Sequence, residues 1–230
     1  MMNIDKLPEK LKTVLFDMDG VLYDSMKNHA YSWSESFKKW GIDFSPYDVY
    51  MNEGRTGDST VEIAFKEHLN RNATKKEIED LYRYKSELMQ NMPEVEILPG
   101  MQEVVSKTIE AGIKAIVVTG SSQPSLIQRL LKDFNIQEND VISGFDVKIG
   151  KPHPEPYLLG LKKANCTPQE ALVIENAPMG VDSSVAAGIM TIGVNTGILR
   201  PEELSSRGAF LVIPNTESLL EIWDSILQRG

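Results

Sequence analysis

The stretch Val14-Leu15-Phe16-Asp17-Met18-Asp19-Gly20-Val21 decides the fold of this chain. Its first three residues form a continuous apolar run, which predicts a strand buried in a parallel sheet. The two aspartates that follow would then lie at the carboxyl edge of the sheet, where open α/β folds bind ligands. One carboxylate there can attack a substrate while the other carries a proton. Because Asp and Gly are also frequent turn residues, a simple turn is the alternative interpretation.

The same pattern of a strand with a polar end recurs along the chain. Apolar runs over Lys114 to Val118 and Ala171 to Ile174 predict two more buried strands. The polar motifs associated with them are Thr119-Gly120-Ser121-Ser122, Gly150-Lys151-Pro152 and Glu175-Asn176. After residue 95 short apolar runs alternate with helix-spaced ones, which predicts an α/β fold whose parallel sheet is covered on both faces.

Composition limits the partners of the protein. The chain has 230 residues, of which 41% are hydrophobic, and a net charge of −9 with a pI of about 5.0. The acidic balance argues against nucleic acid and anionic membranes as partners, because both require basic surfaces. The single cysteine, Cys166, cannot form an internal disulfide and fits a reducing cytoplasm. We expect a cytoplasmic protein, since no apolar run approaches the ~20 residues of a membrane span and residues 1–12 lack a signal-like apolar segment.

The region after the first strand departs from the alternating pattern. Apolar residues recur at helical spacing from Met26 to Trp40, a second helix is expected over about Ser59 to Leu69, and a third opens at Thr74 with a capping box. Lys85 interrupts the apolar stripe of this third helix. We therefore predict an α/β core of residues 1–24 and 93–230 with an inserted helical cap of residues 25–92.

The ordered motifs around Asp17, Thr119, Lys151 and Glu175 resemble those of the haloacid dehalogenase superfamily of phosphatases and phosphomutases. The resemblance covers nearly the whole chain and lies with the β-phosphoglucomutase-like subfamily, which has a helical cap. Residues 52–57 and 175–178 resemble a branch that includes inorganic pyrophosphatases of Bacteroides-type bacteria. The resemblance implies a Rossmann-like, three-layer core and an enzyme that transfers phosphoryl groups.

The resemblance assigns the chemistry to the first motif. Asp17 is expected to attack phosphorus and form an aspartyl-phosphate, while Asp19 acts as general acid and then as general base. Because two nearby carboxylates repel each other, we expect one of them to hold a proton more readily while a metal keeps the other ionised. This favours Asp19 as the protonated member of the pair.

The second and third motifs are expected to bind the phosphoryl group. Thr119 and the backbone amides of Gly120 and Ser121 resemble a phosphate cradle at a helix entry, where free N–H groups favour an anion. An ordinary Ser-rich helix entry is an equal alternative. Lys151 matches the lysine of the third motif and would offset phosphate charge and orient Asp17.

Mg²⁺ is the implied cofactor, because it prefers oxygen ligands. The resemblance assigns it to Asp17, to the backbone carbonyl of Asp19 and to the loop that contains Glu175 and Asn176. This loop commonly reads Glu-Asp, and the amide of Asn176 brings one negative charge less. We therefore expect weaker metal binding unless another carboxylate compensates.

The cap is expected to select a small phosphorylated substrate, and no protein partner is implied. His29 matches a mutase histidine that gates the acid/base residue, although a packed helix histidine is an equal alternative. Glu53 and Gly57 replace a lysine and an arginine of the mutase cap loop, which leaves Arg55 as its cation. Glu53 would repel a bisphosphorylated sugar but could restore the charge lost at Asn176. Pyrophosphate is therefore the leading substrate, with β-phosphoglucomutase activity and a non-catalytic phosphate-binding regulator as alternatives.

Overall fold

The computed structural model describes residues 7–121 and 124–228, without the side chain of Ser125. Ser122 of the second motif therefore lies outside the described residues. The strands within them are β1 (Thr13–Phe16), β2 (Lys114–Val118), β3 (Val141–Ile142), β4 (Ala171–Glu175), β5 (Met190–Val194) and β6 (Leu211–Ile213). Over the described ranges they form one six-stranded parallel sheet in the order β3-β2-β1-β4-β5-β6. The predicted α/β fold with a parallel sheet is confirmed.

Helices lie on both faces of this sheet and over its carboxyl edge. In chain order, those among the described residues are α1 (Met26–Lys38), α2 (Pro46–Met51), α3 (Gly57–Leu69), α4 (Lys75–Gln90), α5 (Met101–Glu110), α6 (Pro124–Asp133), α7 (Glu155–Ala164), α8 (Pro178–Ala186), α9 (Pro201–Ser205) and α10 (Thr216–Leu227). None of the helices in residues 7–121 and 124–228 has the length and apolar composition that crossing a membrane requires.

The position of β1 explains why the polar motifs meet. β1 pairs with β2 on one side and with β4 on the other, so that Phe16 lies opposite Val117 and Ile174. The residues that follow these three strands therefore leave the sheet at one edge. Because the strand order reverses at β1, its carboxyl end is a topological switch point, where open α/β sheets bind ligands.

Alternation along β1 distributes its side chains over both faces of the sheet. Val14 and Phe16 pack in a cluster that includes Trp223 of α10, whereas Leu15 packs on the opposite face with Tyr157 of α7. All five side chains are fully buried. Complete burial of one such apolar side chain contributes roughly 1.5–3 kcal/mol, so both layers hold β1 and the loop after it in place.

The helices α1 to α4 form a separate layer with an apolar cluster of their own. In this cluster Trp33 and Phe37 of α1 stack with their ring centroids 5.4 Å apart, and Leu81 of α4 is fully buried beside them. One residue of the core, Leu199 in the loop between β5 and α9, also packs into this cluster. The helical layer is therefore attached to the core by apolar packing as well as by the chain.

Two neighbouring segments connect the helical layer to the core. The amide of Asp24 donates to the carbonyl of Glu96, and the amide of Leu98 donates to the carbonyl of Leu22, both at 2.9 Å. Tyr23 pairs with Ile97 in an antiparallel bridge between these bonds. The two segments thus run side by side, and we retain residues 25–92 as the proposed extent of the cap.

Some elements were not expected from the sequence. The strand β3 has two residues, and α2 and α9 have six and five. Segments this short do not show the apolar period of a strand or a helix. Their positions depend on contacts with distant residues, such as the parallel pairing of Val117 with Val141.

Candidate active site

The loop after β1 places Asp17 and Asp19 inside the protein, where they are 3% and 2% exposed. Gly20 has a φ of +84°, which permits the turn after the second aspartate. A Cβ atom at this position would collide with the side-chain amide of Asn176. Because Asn176 follows β4, the glycine allows the polar ends of β1 and β4 to touch.

Lys151 connects the third motif to the predicted nucleophile. Its ammonium group donates to Asp17 Oδ1 at 2.6 Å, to Glu175 Oε1 at 2.7 Å and to the carbonyl of Val118 at 3.0 Å. Burial alone would lower the pKa of Lys151, but the carboxylates of Asp17 and Glu175 outweigh burial and raise it. Since all three N–H groups are used, the lysine can orient Asp17 and offset charge but has no further hydrogen bond for a substrate.

Glu175 does not have the geometry of a metal ligand, contrary to the expectation from the sequence. Its Oε1 accepts hydrogen bonds from Lys151 and from the hydroxyl of Tyr157, and its Oε2 accepts from the amides of Asn176 and Ala177. A carboxylate offers about four acceptor positions, and protein groups occupy all of them. Glu175 is fully buried, so its role in this structure is to hold Lys151.

Two oxygens at this edge are suited to a cation. Asp17 Oδ2 and Asn176 Oδ1 are buried and have no hydrogen-bond partner among the described residues, and such oxygens are costly without a ligand. In the described part of the chain, no three His, Cys, Asp or Glu side chains are arranged to hold a metal ion. A Mg²⁺ ion would therefore depend on Asp17, on the amide oxygen of Asn176 and on the backbone carbonyl of Asp19, which is the set expected from the sequence without Glu175.

The two aspartates differ in proton affinity, in the order opposite to the expectation. Burial raises the pKa of Asp17 well above its usual value, and the nearby Glu175 adds to the increase. For Asp19 burial also raises the pKa, but His29 and the hydroxyl of Ser25, which donates to Oδ1 at 2.6 Å, outweigh it and lower the pKa overall. A divalent cation beside Asp17 would supply the positive charge that lowers its pKa.

The second motif lies at the end of β2, with Thr119 buried. The amide of Ser121 donates to Thr119 Oγ1 at 2.9 Å, so this N–H is already engaged by the hydroxyl of the same loop. A Cβ atom on Gly120 would lie 2.7 Å from the carbonyl oxygen of Gly54 and 2.8 Å from that of Arg55. The glycine therefore lets the cap loop rest directly on the backbone of the second motif.

The helical layer brings His29 and Glu53 close to Asp19. His29 Nε2 lies 3.4 Å from Asp19 Oδ1, and His29 Nδ1 lies 3.8 Å from Glu53 Oε2. Burial raises the pKa of Glu53, and the charge of Asp19 adds to this increase. The structure thus places both cap residues at the site, where a proton or a cation would relieve the repulsion between the two carboxylates.

Lys85 is the residue at this site that sequence reasoning missed. It lies on α4, is 3% exposed, and lines a cavity under the cap. This cavity has a volume of about 30 Å³ and is bordered by the polar groups of Asp19, His29, Glu53, Arg55, Lys85, Gly120 and Ser121. Burial lowers the pKa of Lys85, and its ammonium lies 5.3 Å from the ring centroid of Trp33. Its position within the apolar stripe of α4 was the available indication that it points inward.

Arg55 is the second cation at the cavity. Its Nε donates to Asn52 Oδ1 at 3.0 Å, and its Nη1 donates to Ser59 Oγ at 3.4 Å. Burial lowers the pKa of Arg55, although the guanidinium remains charged. Arg55 and Lys85 therefore face the cavity together with the buried carboxylates of Asp19 and Glu53, which is a combination suited to an anion bound with a cation.

Comparison with known proteins agrees with this arrangement. Hexitol phosphatase A of Escherichia coli K12 is 32% identical over 202 residues, which cover 81% of this chain and 84% of that protein. The β-phosphoglucomutase of Bacillus subtilis 168 is 27% identical over 91% of this chain and 92% of its own. A solved structure from Bacteroides vulgatus, named provisionally as a β-phosphoglucomutase, has a TM-score of 0.92 and 45% identity, covering 96% of this chain and 90% of that one.

The family model described as haloacid dehalogenase-like hydrolase matches residues 14–194, which include the polar ends of β1, β2 and β4 together with Lys151. Curated relatives are named as phosphatases and as a phosphoglucomutase. The protein is therefore a phosphatase or phosphotransferase close to the β-phosphoglucomutase-like proteins, and it belongs to the haloacid dehalogenase-like hydrolase family.

Proposed function

We propose that this protein hydrolyses inorganic pyrophosphate in a Mg²⁺-dependent reaction. Asp17 attacks one phosphorus atom and becomes an aspartyl-phosphate. The negative charge of bound pyrophosphate would raise the lowered pKa of Asp19, which allows Asp19 to protonate the departing phosphate. Asp19 then takes a proton from the water that hydrolyses the aspartyl-phosphate. Mg²⁺, held by Asp17, Asn176 and the Asp19 carbonyl, would reduce the repulsion between the nucleophile and the phosphoryl oxygens.

The size of the cavity supports a small substrate. A water molecule requires roughly 10–15 Å³ of such volume, and the cavity under the cap has about 30 Å³. The backbone of the cap loop contacts the backbone of Gly120 in the second motif, so little space separates the helical layer from the core. A second phosphate group is more compact than a hexose, and it therefore fits this arrangement with less displacement of the cap.

The charges of the cavity carry the proposal most directly. Lys85 is buried at the border of this cavity, where its ammonium faces the negative charges of Glu53 and Asp19. A buried cation is costly without anionic partners, and the phosphate that departs when Asp17 attacks would be such a partner. Arg55 adds a second positive group to the cavity. Glu53 would supply to a bound cation the negative charge that is lost because residue 176 is Asn and not Asp.

A panel of substrates tests the proposal. With Mg²⁺ the protein should release phosphate from pyrophosphate faster than from hexose phosphates. Lys85→Met should lower kcat/KM for pyrophosphate by about 100-fold, because a charge-assisted contact contributes roughly 1.5–3 kcal/mol, and it should affect an aryl phosphate much less. The matched control is Lys75→Met on the same helix, whose side chain is 92% exposed. A clear preference for hexose phosphates would contradict the proposal.

β-Phosphoglucomutase activity is the second candidate. The 3.4 Å approach of His29 Nε2 to Asp19 Oδ1 favours it, because this histidine can gate the acid/base residue. Two of the proteins compared above carry that name. Formation of glucose 6-phosphate from β-glucose 1-phosphate, measured beside phosphate release, distinguishes the two activities.

The third candidate is a phosphate-binding regulator without catalysis. Asp17→Asn separates it from an enzyme, because the amide cannot form the aspartyl-phosphate but leaves the shape of the site unchanged. We expect this variant to lose turnover at least 1,000-fold, as is typical when a nucleophile is removed, while inorganic phosphate still binds. If wild-type protein binds phosphate and turns over none of the panel, the regulatory role is favoured.

A further inference from the structure

Tyr157 is a buried phenol that the proposed reaction does not use. It lies on α7, is fully buried, and donates to Glu175 Oε1 at 2.7 Å. Its ring packs in the apolar cluster that contains Leu15, so Tyr157 contacts Glu175 from within the core. The same Oε1 atom accepts a hydrogen bond from Lys151, whose ammonium also donates to the nucleophile Asp17.

We propose that Tyr157 is a positioning residue for phosphoryl transfer, acting through Glu175 on Lys151 and thereby on Asp17. The inference rests on the family's chemistry at Asp17 and not on pyrophosphate as the substrate. The chain Tyr157, Glu175, Lys151 and Asp17 is continuous, with hydrogen bonds of 2.7, 2.7 and 2.6 Å.

The four hydrogen bonds that the Glu175 carboxylate accepts explain why the Tyr157 hydroxyl affects Lys151. With Tyr157 present, each carboxylate oxygen of Glu175 accepts two hydrogen bonds, which fixes its orientation and spreads its charge. Without the phenol, Oε1 keeps Lys151 as its one protein partner and becomes a stronger competitor for the ammonium. Lys151 is then drawn toward Glu175 and away from Asp17, so that the nucleophile loses part of its orientation and charge compensation.

The environment keeps Tyr157 a hydrogen-bond donor. Burial, followed by the nearby carboxylates of Glu175 and Asp17, raises the pKa of the phenol well above its ordinary value. Its ring also lies 5.1 Å from Lys151 Nζ, in the range of a cation–π contact. Phe at this position retains the ring and removes the hydrogen bond alone, which makes Tyr157→Phe a selective probe.

The test measures steady-state hydrolysis of an aryl phosphate together with calorimetric binding of orthovanadate and of inorganic phosphate. Tyr157→Phe should lower kcat about tenfold and leave KM within twofold, because the residue acts on the nucleophile and not on the substrate. Affinity for orthovanadate, a mimic of the transition state, should fall by the same factor as kcat, while affinity for phosphate is retained. A purely structural role would not separate these two ligands.

Tyr23→Phe is the matched control. Tyr23 is also fully buried and donates its hydroxyl to a carboxylate, that of Asp133, at 2.9 Å. This variant should lose comparable stability with kcat unchanged. Equal kcat for wild type and Tyr157→Phe, or a loss confined to KM, would overturn the proposal, as would failure of the wild-type protein to bind either anion.

A double-mutant cycle with Glu175→Gln tests the route of the effect. If Tyr157 acts through Glu175, Tyr157→Phe should cost less than twofold in kcat when Glu175 is already replaced. Independent, multiplying losses would refute the relay even if each single variant is impaired.

Discussion

The contact at Gly120 allows a quantitative test of how closely the cap must approach the core. An alanine Cβ there would lie 2.7 Å from the carbonyl oxygen of Gly54, whereas ordinary contacts begin at 3.4 Å. The cap loop must therefore move away from the core by about 0.7 Å. This distance is close to the ~1 Å displacement of substrate-positioning groups that is known to reduce catalysis. The displaced loop carries Glu53 and Arg55, which both line the cavity.

We expect Gly120→Ala to lower kcat/KM for pyrophosphate between about 10-fold and 100-fold, since a displacement of ~1 Å typically costs 100-fold. Its melting temperature should change little, because the contact lies between two layers that each retain their own apolar cluster. The assay is phosphate release beside thermal unfolding.

Gly112→Ala gives the reverse pattern and serves as the control. Gly112 has a φ of +76°, and no atom lies within 4 Å of the position that an alanine Cβ would occupy, so alanine there causes backbone strain without a collision. The variant should lose roughly 1–2 kcal/mol of stability and retain full activity. If Gly120→Ala is as active as wild type, close approach of the cap is not required and the argument from cavity size fails.

Two further predictions concern stability. Leu199→Ala should lower the free energy of unfolding in urea by about 2–3 kcal/mol, because Leu199 is 4% exposed in the apolar cluster of the cap. Ile198→Ala, at a position that is 56% exposed, should change the free energy of unfolding by less than about 0.5 kcal/mol. Equal effects of the two substitutions would contradict the packing role of Leu199. The hydrogen bond from Arg71 lowers the pKa of Glu77 from 4.5 to about 2, so the ionised Glu77 stabilises the fold above pH 4.5 and this contribution is lost as the pH falls toward 2. Glu77→Gln should therefore weaken the dependence of the urea midpoint on pH between 4.5 and 2. An unchanged dependence on pH would refute this role of Glu77.

The central strands could be predicted from the sequence because each is a continuous apolar run. The runs that contain Leu15, Ile116 and Val173 all form buried strands of one parallel sheet. The strands depend on local composition, which a single sequence displays. The contact between Lys151 and Asp17 was expected from the family resemblance of the third motif.

The features that the sequence did not predict depend on where side chains point and on which distant groups they contact. Lys85 interrupted an apolar stripe, and the sequence alone does not distinguish a solvated lysine from one facing a cavity. Glu175 was expected to bind metal from the family resemblance. Its four acceptor positions are filled by Lys151, by Tyr157 and by the amides of the two residues that follow it. The order of the Asp17 and Asp19 pKa values likewise depends on burial and on neighbouring charges, which the spacing of the residues does not specify.

The side-by-side arrangement of the two connecting segments has a consequence for the history of such proteins. Since the amide of Asp24 donates to the carbonyl of Glu96, more than 60 residues enter and leave the core at nearly one point. The entropy of closing a loop grows slowly with its length, so the core tolerates a short turn or a whole helical layer at this position with little thermodynamic difference. If the helical layer selects the substrate, as we propose, exchange of this one inserted segment would change substrate preference and leave the strands that carry Asp17 and Lys151 in place.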